Sequence, residues 1–142
     1  MKLFAKAIVL LLFSLATAES NDRSGIVVVM SANSGIEALT REQVINIFFG
    51  RFRKLPNGET AVPVDQPAGA PLKSAFYRQL VNKDLAEIRA YWARLVFSGR
   101  TAPPEQTKTE QEALQLLLEQ PGAVGYLWEG SLPPRLRVVF DL

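Results

Sequence analysis

The sequence predicts a single α/β domain of the three-layer α/β/α type, with a small mixed, mostly parallel sheet. Residues 25–30 have the sequence GIVVVM, a β-branched run that is typical of a strand buried on both faces, as in a parallel sheet. Apolar residues recur at helical spacing in four later segments, and short apolar runs lie among and after them. The predicted order β-α-β-α-α-α-β-β, with a short strand near residues 106–108, therefore favours helices packed on a sheet.

Each predicted helix begins at a capping or proline signal. A Thr or Asp followed three residues later by Glu or Gln satisfies free backbone donors at a helix start, and proline is favoured at the first helical position. These signals are Thr40 with Gln43, Asp84 with Glu87, Thr109 with Glu112, and Pro71. We expect the buried face of the helix that begins at Pro71 to comprise Leu72, Ala75, Phe76, Gln79 and Leu80.

The N-terminus has the pattern of a secretory signal peptide. Lys2 and Lys6 precede and flank a short apolar run, which ends in the small residues Ala-Thr-Ala at positions 16–18. The run is shorter than the about 20 apolar residues that a membrane-spanning helix needs. We therefore expect cleavage after Ala18, a periplasmic location, and a single mature domain over residues 19–142 without a membrane span.

The composition excludes several function classes. Loss of Lys2 and Lys6 would leave 14 basic residues against 14 acidic ones, which does not favour a nucleic-acid surface. The chain has no histidine and no cysteine, so Ser-His and Cys-His nucleophiles are ruled out. No calcium-loop, phosphate-loop or dinucleotide spacing is present. We expect a protein that is not an enzyme and that needs no cofactor or metal.

Three ordered segments carry a resemblance to a known family. Residues 39–51, LTREQVINIFFGR, are followed by VPVD at residues 62–65 and by GAVGY at residues 122–126. In this order they resemble the landmarks of phosphate-binding proteins of ABC transporters, which are type II periplasmic solute-binding proteins. Residues 91–92 and 97–99 are similar to a small exported subgroup of these domains. The resemblance spans residues 26–140, and it implies an α/β lobe that binds a tetrahedral oxyanion.

The chain departs from the family pattern in two ways. The family implies two hinged lobes that close over the ligand, whereas this chain has room for about one lobe; a homodimer could restore a two-lobed cleft. The family's G-S-G-T loop, whose hydroxyls and amides hold phosphate, corresponds here to AGAP at residues 68–71. No hydroxyl remains, and Pro71 has no N–H to donate. The dipole of the following helix and the approach allowed by Gly69 are retained.

The candidate ligand-binding residues are Ser31, Asn33, Ser34, Asp65, Gly69 and Ala70. The first three follow the first strand, and ligands in open α/β sheets lie beyond the carboxyl ends of strands. Asp65 ends the second strand and could select a protonated anion or accept from a ligand donor. The alternatives stay open, because Ser and Asn are ordinary turn residues and Asp often accepts bonds within loops.

The candidate partner-binding residues are Arg51, Arg53 and Trp128. The two arginines could attract an anion or an acidic partner, although exposed basic residues are usually only solvated. Trp128 could anchor an interface or pack at the edge of the core. Two hypotheses follow: a single-lobe binding domain for a small oxyanion such as phosphate, and an envelope protein-interaction module that keeps the fold with a vestigial ligand site.

Overall fold

The computed structural model describes residues 25–142, and the predicted signal peptide lies outside the described residues. The strands are β1 (Ile26–Ser31), β2 (Val62–Asp65), β3 (Glu105–Gln106), β4 (Ala123–Trp128) and β5 (Leu136–Asp141). The helices are α1 (Arg41–Phe48), α2 (Pro71–Val81), α3 (Leu85–Val96) and α4 (Glu110–Glu119), and a short 3-10 turn spans Glu129–Ser131. The predicted element order is confirmed, with the short strand β3 lying slightly earlier than expected.

The strands form one mixed sheet in the order β3-β2-β4-β1-β5. Strand β2 is parallel to both of its neighbours, β3 and β4. Strand β1 is antiparallel to both of its neighbours, β4 and β5. The expectation that β1 is buried on both faces is confirmed, but the parallel setting suggested by its composition is wrong. An apolar run indicates that both faces of a strand are covered by other layers, but it does not indicate the direction of the adjacent strands.

Helices cover both faces of the sheet, which confirms the three-layer architecture. On one face, alternate β1 residues such as Val28 pack with α1, α2 and α3 in the larger core cluster. On the other face, Val27 and Val29 pack against Leu117 of α4 in the smaller cluster. The alternation follows from the period of two in a strand, which sends successive side chains to opposite layers.

Most helix boundaries follow from the local signals in the sequence. Reciprocal capping boxes are present at Thr40 and Asp84. The predicted box at Thr109 is only half formed: its hydroxyl accepts from the Glu112 N–H, but the Glu112 carboxylate accepts from the Lys108 N–H at 2.9 Å. Gly50 ends α1 with φ of 67°, and a Cβ there would collide with the Thr101 side chain.

Candidate functional site

The candidate site is built around Asp65, the last residue of β2. Its side chain is buried, and its carboxylate accepts hydrogen bonds from two tyrosine hydroxyls. Tyr77, on the buried face of α2, donates to Oδ2 at 2.8 Å, and Tyr126, on the adjacent strand β4, donates to Oδ1. A buried carboxylate is stable only when its oxygens are paired, and these hydroxyls supply that pairing.

Lys73 brings a positive charge to the same carboxylate. Its Nζ lies 3.5 Å from Asp65 Oδ2 and donates to Gln106 Oε1 at 2.7 Å. The lysine belongs to the first turn of α2, and Gln106 belongs to β3 on the other side of β2. The ammonium group is thus fixed at the carboxyl end of β2, where it balances the charge of Asp65.

Backbone groups next to Asp65 are tied into the same network. Thr107 Oγ1 donates to the Asp65 carbonyl at 2.7 Å, and Gln106 Nε2 donates to the Gln66 carbonyl at 2.7 Å. The Gln66 side-chain amide donates to the Tyr126 carbonyl at 3.1 Å. Within residues 25–142, Gln66 Oε1 is buried without a hydrogen-bond partner. These bonds hold β2, β3 and β4 in a fixed arrangement around the carboxylate.

The two tyrosines have perturbed acidities. Burial raises the pKa of Tyr77 well above its ordinary value, and the negative charge of Asp65 raises it further. The pKa of Tyr126 is raised in the same direction, again first by burial and then by Asp65. Both hydroxyls therefore stay protonated at neutral pH and remain available as hydrogen-bond donors.

A cavity of about 350 Å³ opens beside this network, between α2, α3 and the residues that lead into β3. Asp65, Lys73 and Gln106 line its polar side together with Arg89 of α3, and Trp92 contributes to its apolar side. The wall thus carries two cations and one carboxylate.

The loop before α2 offers few free amides for an anion. The Ala70 N–H donates to the Pro67 carbonyl at 2.9 Å, and the Lys73 N–H donates to the Ala70 carbonyl at 3.0 Å. Pro71 occupies the first helical position and has no N–H. Gly69 is exposed, and a Cβ built there would meet no atom within 4 Å. The fold therefore does not require glycine at position 69.

The structure separates the two groups of predicted ligand residues. Asp65, Gly69 and Ala70 lie at the carboxyl end of β2, but Ser31 ends β1, which runs opposite to β4 and β2. Ser31 is therefore at the other end of the sheet. Its buried hydroxyl accepts from the Asn33 N–H at 3.2 Å, and the buried Ser34 hydroxyl accepts from the Ile36 N–H at 3.1 Å. Asn33 is exposed.

The predicted partner-binding residues have different surroundings. Arg51 is exposed, with its guanidinium 5.9 Å from the centre of the Phe49 ring. Arg53 is half-buried and donates to the Ile47 carbonyl at 3.0 Å and to the Ala102 carbonyl at 2.6 Å. It therefore ties the end of α1 to the loop that precedes β3, and partial burial lowers the pKa of its guanidinium. Trp128 is half-buried against the larger core cluster.

The residues that complete the site were not singled out from the sequence. They are Tyr77, Tyr126, Lys73, Arg89, Gln66, Gln106 and Thr107. Tyr77 takes the buried position on α2 that was assigned to Gln79, which is exposed. A buried tyrosine needs a hydrogen-bond partner. The sequence signal that could have revealed the site was therefore a strand ending in Asp together with tyrosines on apolar segments.

Within residues 25–142 no cluster of three His, Cys, Asp or Glu residues could hold a metal ion.

The fold is that of one lobe of a solute-binding protein of the phosphate-binding type. It superposes on a protein from Clostridium perfringens that is assigned as a phosphate ABC transporter substrate-binding protein and holds bound phosphate. The TM-score is 0.63 at 16% identity, and the superposition covers 81% of this chain and 44% of that one. An ABC-type phosphate transport receptor from Vibrio cholerae gives a TM-score of 0.62, 16% identity and coverage of 81% and 45%.

A third protein, from Planctomyces limnophilus and assigned as phosphate-binding, gives a TM-score of 0.57 at 14% identity, with coverage of 81% of this chain and 40% of its own. This chain spans less than half the length of the three proteins, and it corresponds to a single lobe. No protein-family model and no curated protein sequence matches it. At these identities the likeness shows the fold, and the predicted α/β class with a mixed sheet is confirmed. The sheet is not mostly parallel, because two of its four strand pairs are antiparallel.

Proposed function

We propose that the chain is an exported, non-catalytic binding domain that takes a small oxyanion such as phosphate at the carboxyl end of β2. The observation that carries the proposal is that Lys73, in the first turn of α2, and Arg89 of α3 line the same cavity, in a fold shared with phosphate-binding proteins. The expected periplasmic location rests on the predicted signal peptide and on the same likeness. In residues 25–142 no helix is both long and apolar enough to cross a membrane.

The charges at the site favour an anion of low charge. Lys73, Arg89 and Asp65 together give the cavity lining a net charge of one positive unit. The amino end of α2 adds the positive end of a helix dipole. Asp65 is an acceptor held by two tyrosine hydroxyls, so it would bind a protonated oxygen of the ligand and repel a fully ionised one. We therefore expect monobasic phosphate to bind better than its dianion.

A single lobe supplies only one side of such a site. The loop at residues 68–71 contributes no hydroxyl, its Ala70 N–H is already bonded to the Pro67 carbonyl, and Pro71 has no N–H. Weak binding is the expected consequence, since fewer donors surround the ligand. The envelope interaction module with a vestigial ligand site stays a prediction, and it is the outcome that a failed binding test would favour.

A thermal-shift titration of the purified protein with phosphate, sulfate and chloride tests the proposal. A ligand at one hundred times its dissociation constant stabilises a protein by about 2.7 kcal/mol, so a saturable rise specific to phosphate is expected. Lys73→Met should abolish the rise, because it removes one of the two cations of the cavity and leaves the negative charge of Asp65 to repel the ligand.

Lys108→Met is the matched control, since Lys108 is an exposed lysine outside the cavity lining. A flat response to phosphate at millimolar concentration would refute the oxyanion function. Equal responses to phosphate and chloride would show only a general salt effect and would refute it as well.

A further inference from the structure

A second and larger cavity, of about 640 Å³, lies between α1, α2 and α3. We call this cavity the helical groove. Its floor is apolar and includes Phe49, Leu80 and Tyr91. The Tyr91 hydroxyl donates to the Phe49 carbonyl at 2.7 Å, and the two rings meet edge to face with centroids 5.1 Å apart. The floor is thus fixed by hydrogen bonding and ring packing. The volume falls in the range that suits drug-sized ligands.

The rim of the helical groove is positively charged. Arg51, Lys83 and Arg94 line it, against one carboxylate, that of Glu87. The Glu87 carboxylate accepts the Asp84 N–H at 2.9 Å within the capping box of α3, so it is already used as a helix cap. Among residues 25–142, the one ion pair joins Lys73 and Asp65. None of the three groove cations therefore forms an ion pair with a carboxylate of the described residues, and together they exceed the charge of Glu87 by two.

The helical groove is distinct from the cavity beside Asp65, because α3 lies between them. Ala90, Tyr91 and Arg94 face the groove, whereas Arg89 and Trp92 line the other cavity. A free inorganic oxyanion would leave the apolar floor exposed. A second copy docked face to face would bring arginine against arginine, which costs energy through like-charge repulsion. A ligand that suits both parts of the groove has an apolar body and a negative group.

We propose that the helical groove binds a small organic anion with an apolar body, of the class of fatty or aromatic carboxylates. The apolar body lies on Phe49, Leu80 and Tyr91, and the carboxylate pairs with Arg51 and Arg94. Guanidinium groups suit this role because their planar donors match both oxygens of a carboxylate. The burial of the ligand's apolar surface supplies affinity, and the arginines select the sign of its charge.

Isothermal titration of the purified protein with dodecanoate, below the concentration at which it forms micelles, tests this assignment. Saturable binding is expected, and dodecyltrimethylammonium, with the same apolar chain and the opposite charge, should not bind. Arg94→Gln and Arg51→Gln should each weaken dodecanoate binding about tenfold or more, as expected for the loss of a charge-assisted hydrogen bond. These positions are exposed, so the variants should fold normally.

Arg89→Gln is the matched control, because it removes the same charge from the same helix on the side of the other cavity. Arg89→Gln, and millimolar phosphate added to the wild-type protein, should leave dodecanoate binding unchanged. The proposal is overturned if dodecanoate does not bind, if the cationic amphiphile binds equally well, or if Arg94→Gln and Arg51→Gln bind as the wild type does. Because phosphate and Arg89 belong to the other cavity, failure here and failure of the oxyanion function are distinguishable.

Discussion

Replacement of Asp65 by alanine should destabilise the fold strongly, because it removes the acceptor for two buried hydroxyl groups. Tyr77 and Tyr126 donate to the two carboxylate oxygens, and both tyrosine side chains are fully buried. An unsatisfied buried donor costs about 1–3 kcal/mol, so two of them imply a loss of about 2–6 kcal/mol. That is a large part of the roughly 5–15 kcal/mol that stabilises an ordinary domain.

Urea unfolding followed by circular dichroism measures this loss. Asp141→Ala, at an exposed position in β5, is the matched control and should change the free energy of unfolding little. Asp65→Asn should cost less than Asp65→Ala, because the amide can still accept from one hydroxyl and donate to the other. A loss below about 1 kcal/mol for Asp65→Ala would refute the argument that this carboxylate organises the site.

The reasoning also predicts strong coupling between Asp65 and its two donors. In a protein that carries Tyr77→Phe and Tyr126→Phe, no hydroxyl would be left without an acceptor, so the cost of Asp65→Ala should fall. Additive costs across this cycle would show that the hydroxyls find water or other partners when the carboxylate is absent.

Two further predictions concern pH and a helix end. The raised pKa values of Tyr77 and Tyr126 stabilise the fold fully below about pH 10, where an unfolded tyrosine begins to ionise, and this stability should be lost as pH rises toward the folded pKa, by about 1.4 kcal/mol per pH unit for each tyrosine. Urea unfolding should give a nearly constant free energy of unfolding below about pH 9 and a fall that approaches that slope above about pH 10, reduced in Tyr77→Phe. An equal slope in Tyr77→Phe and the wild type would contradict the prediction. Gly50→Ala should lower the thermal midpoint, since a Cβ at φ of 67° would collide with Thr101; an unchanged midpoint would show that the loop moves aside.

The sequence was most informative where structure is set by neighbouring residues. The capping boxes at Thr40 and Asp84 and the proline at the start of α2 involve residues within one turn of each other, so local pattern suffices. The half-formed capping box at Thr109 shows where a local sequence pattern is not sufficient to predict the hydrogen bonds of a helix end. The Glu112 carboxylate can reach two backbone donors, and its choice of the Lys108 N–H depends on the path of the preceding loop.

The sequence was least informative where distant segments meet. The direction of β1 relative to β4 decides whether Ser31 and Asp65 share one end of the sheet, and a buried apolar run carries no information about it. The pairing of Asp65 with Tyr126 joins residues 61 positions apart. Aromatic residues on apolar faces predict burial, but only the assembled sheet shows that the two hydroxyls meet one carboxylate.

Mapping phosphate onto the protein by amide chemical shifts in nuclear magnetic resonance spectra tests the central claim most directly. The account predicts saturable shifts at Gly69, Leu72 and Thr107, around the amino end of α2 and the Asp65 network, and their loss in Lys73→Met. Shifts confined to Asn33 and Ser34 would contradict it, because those residues lie at the opposite end of the sheet. The absence of any shift at millimolar phosphate would contradict the oxyanion function itself.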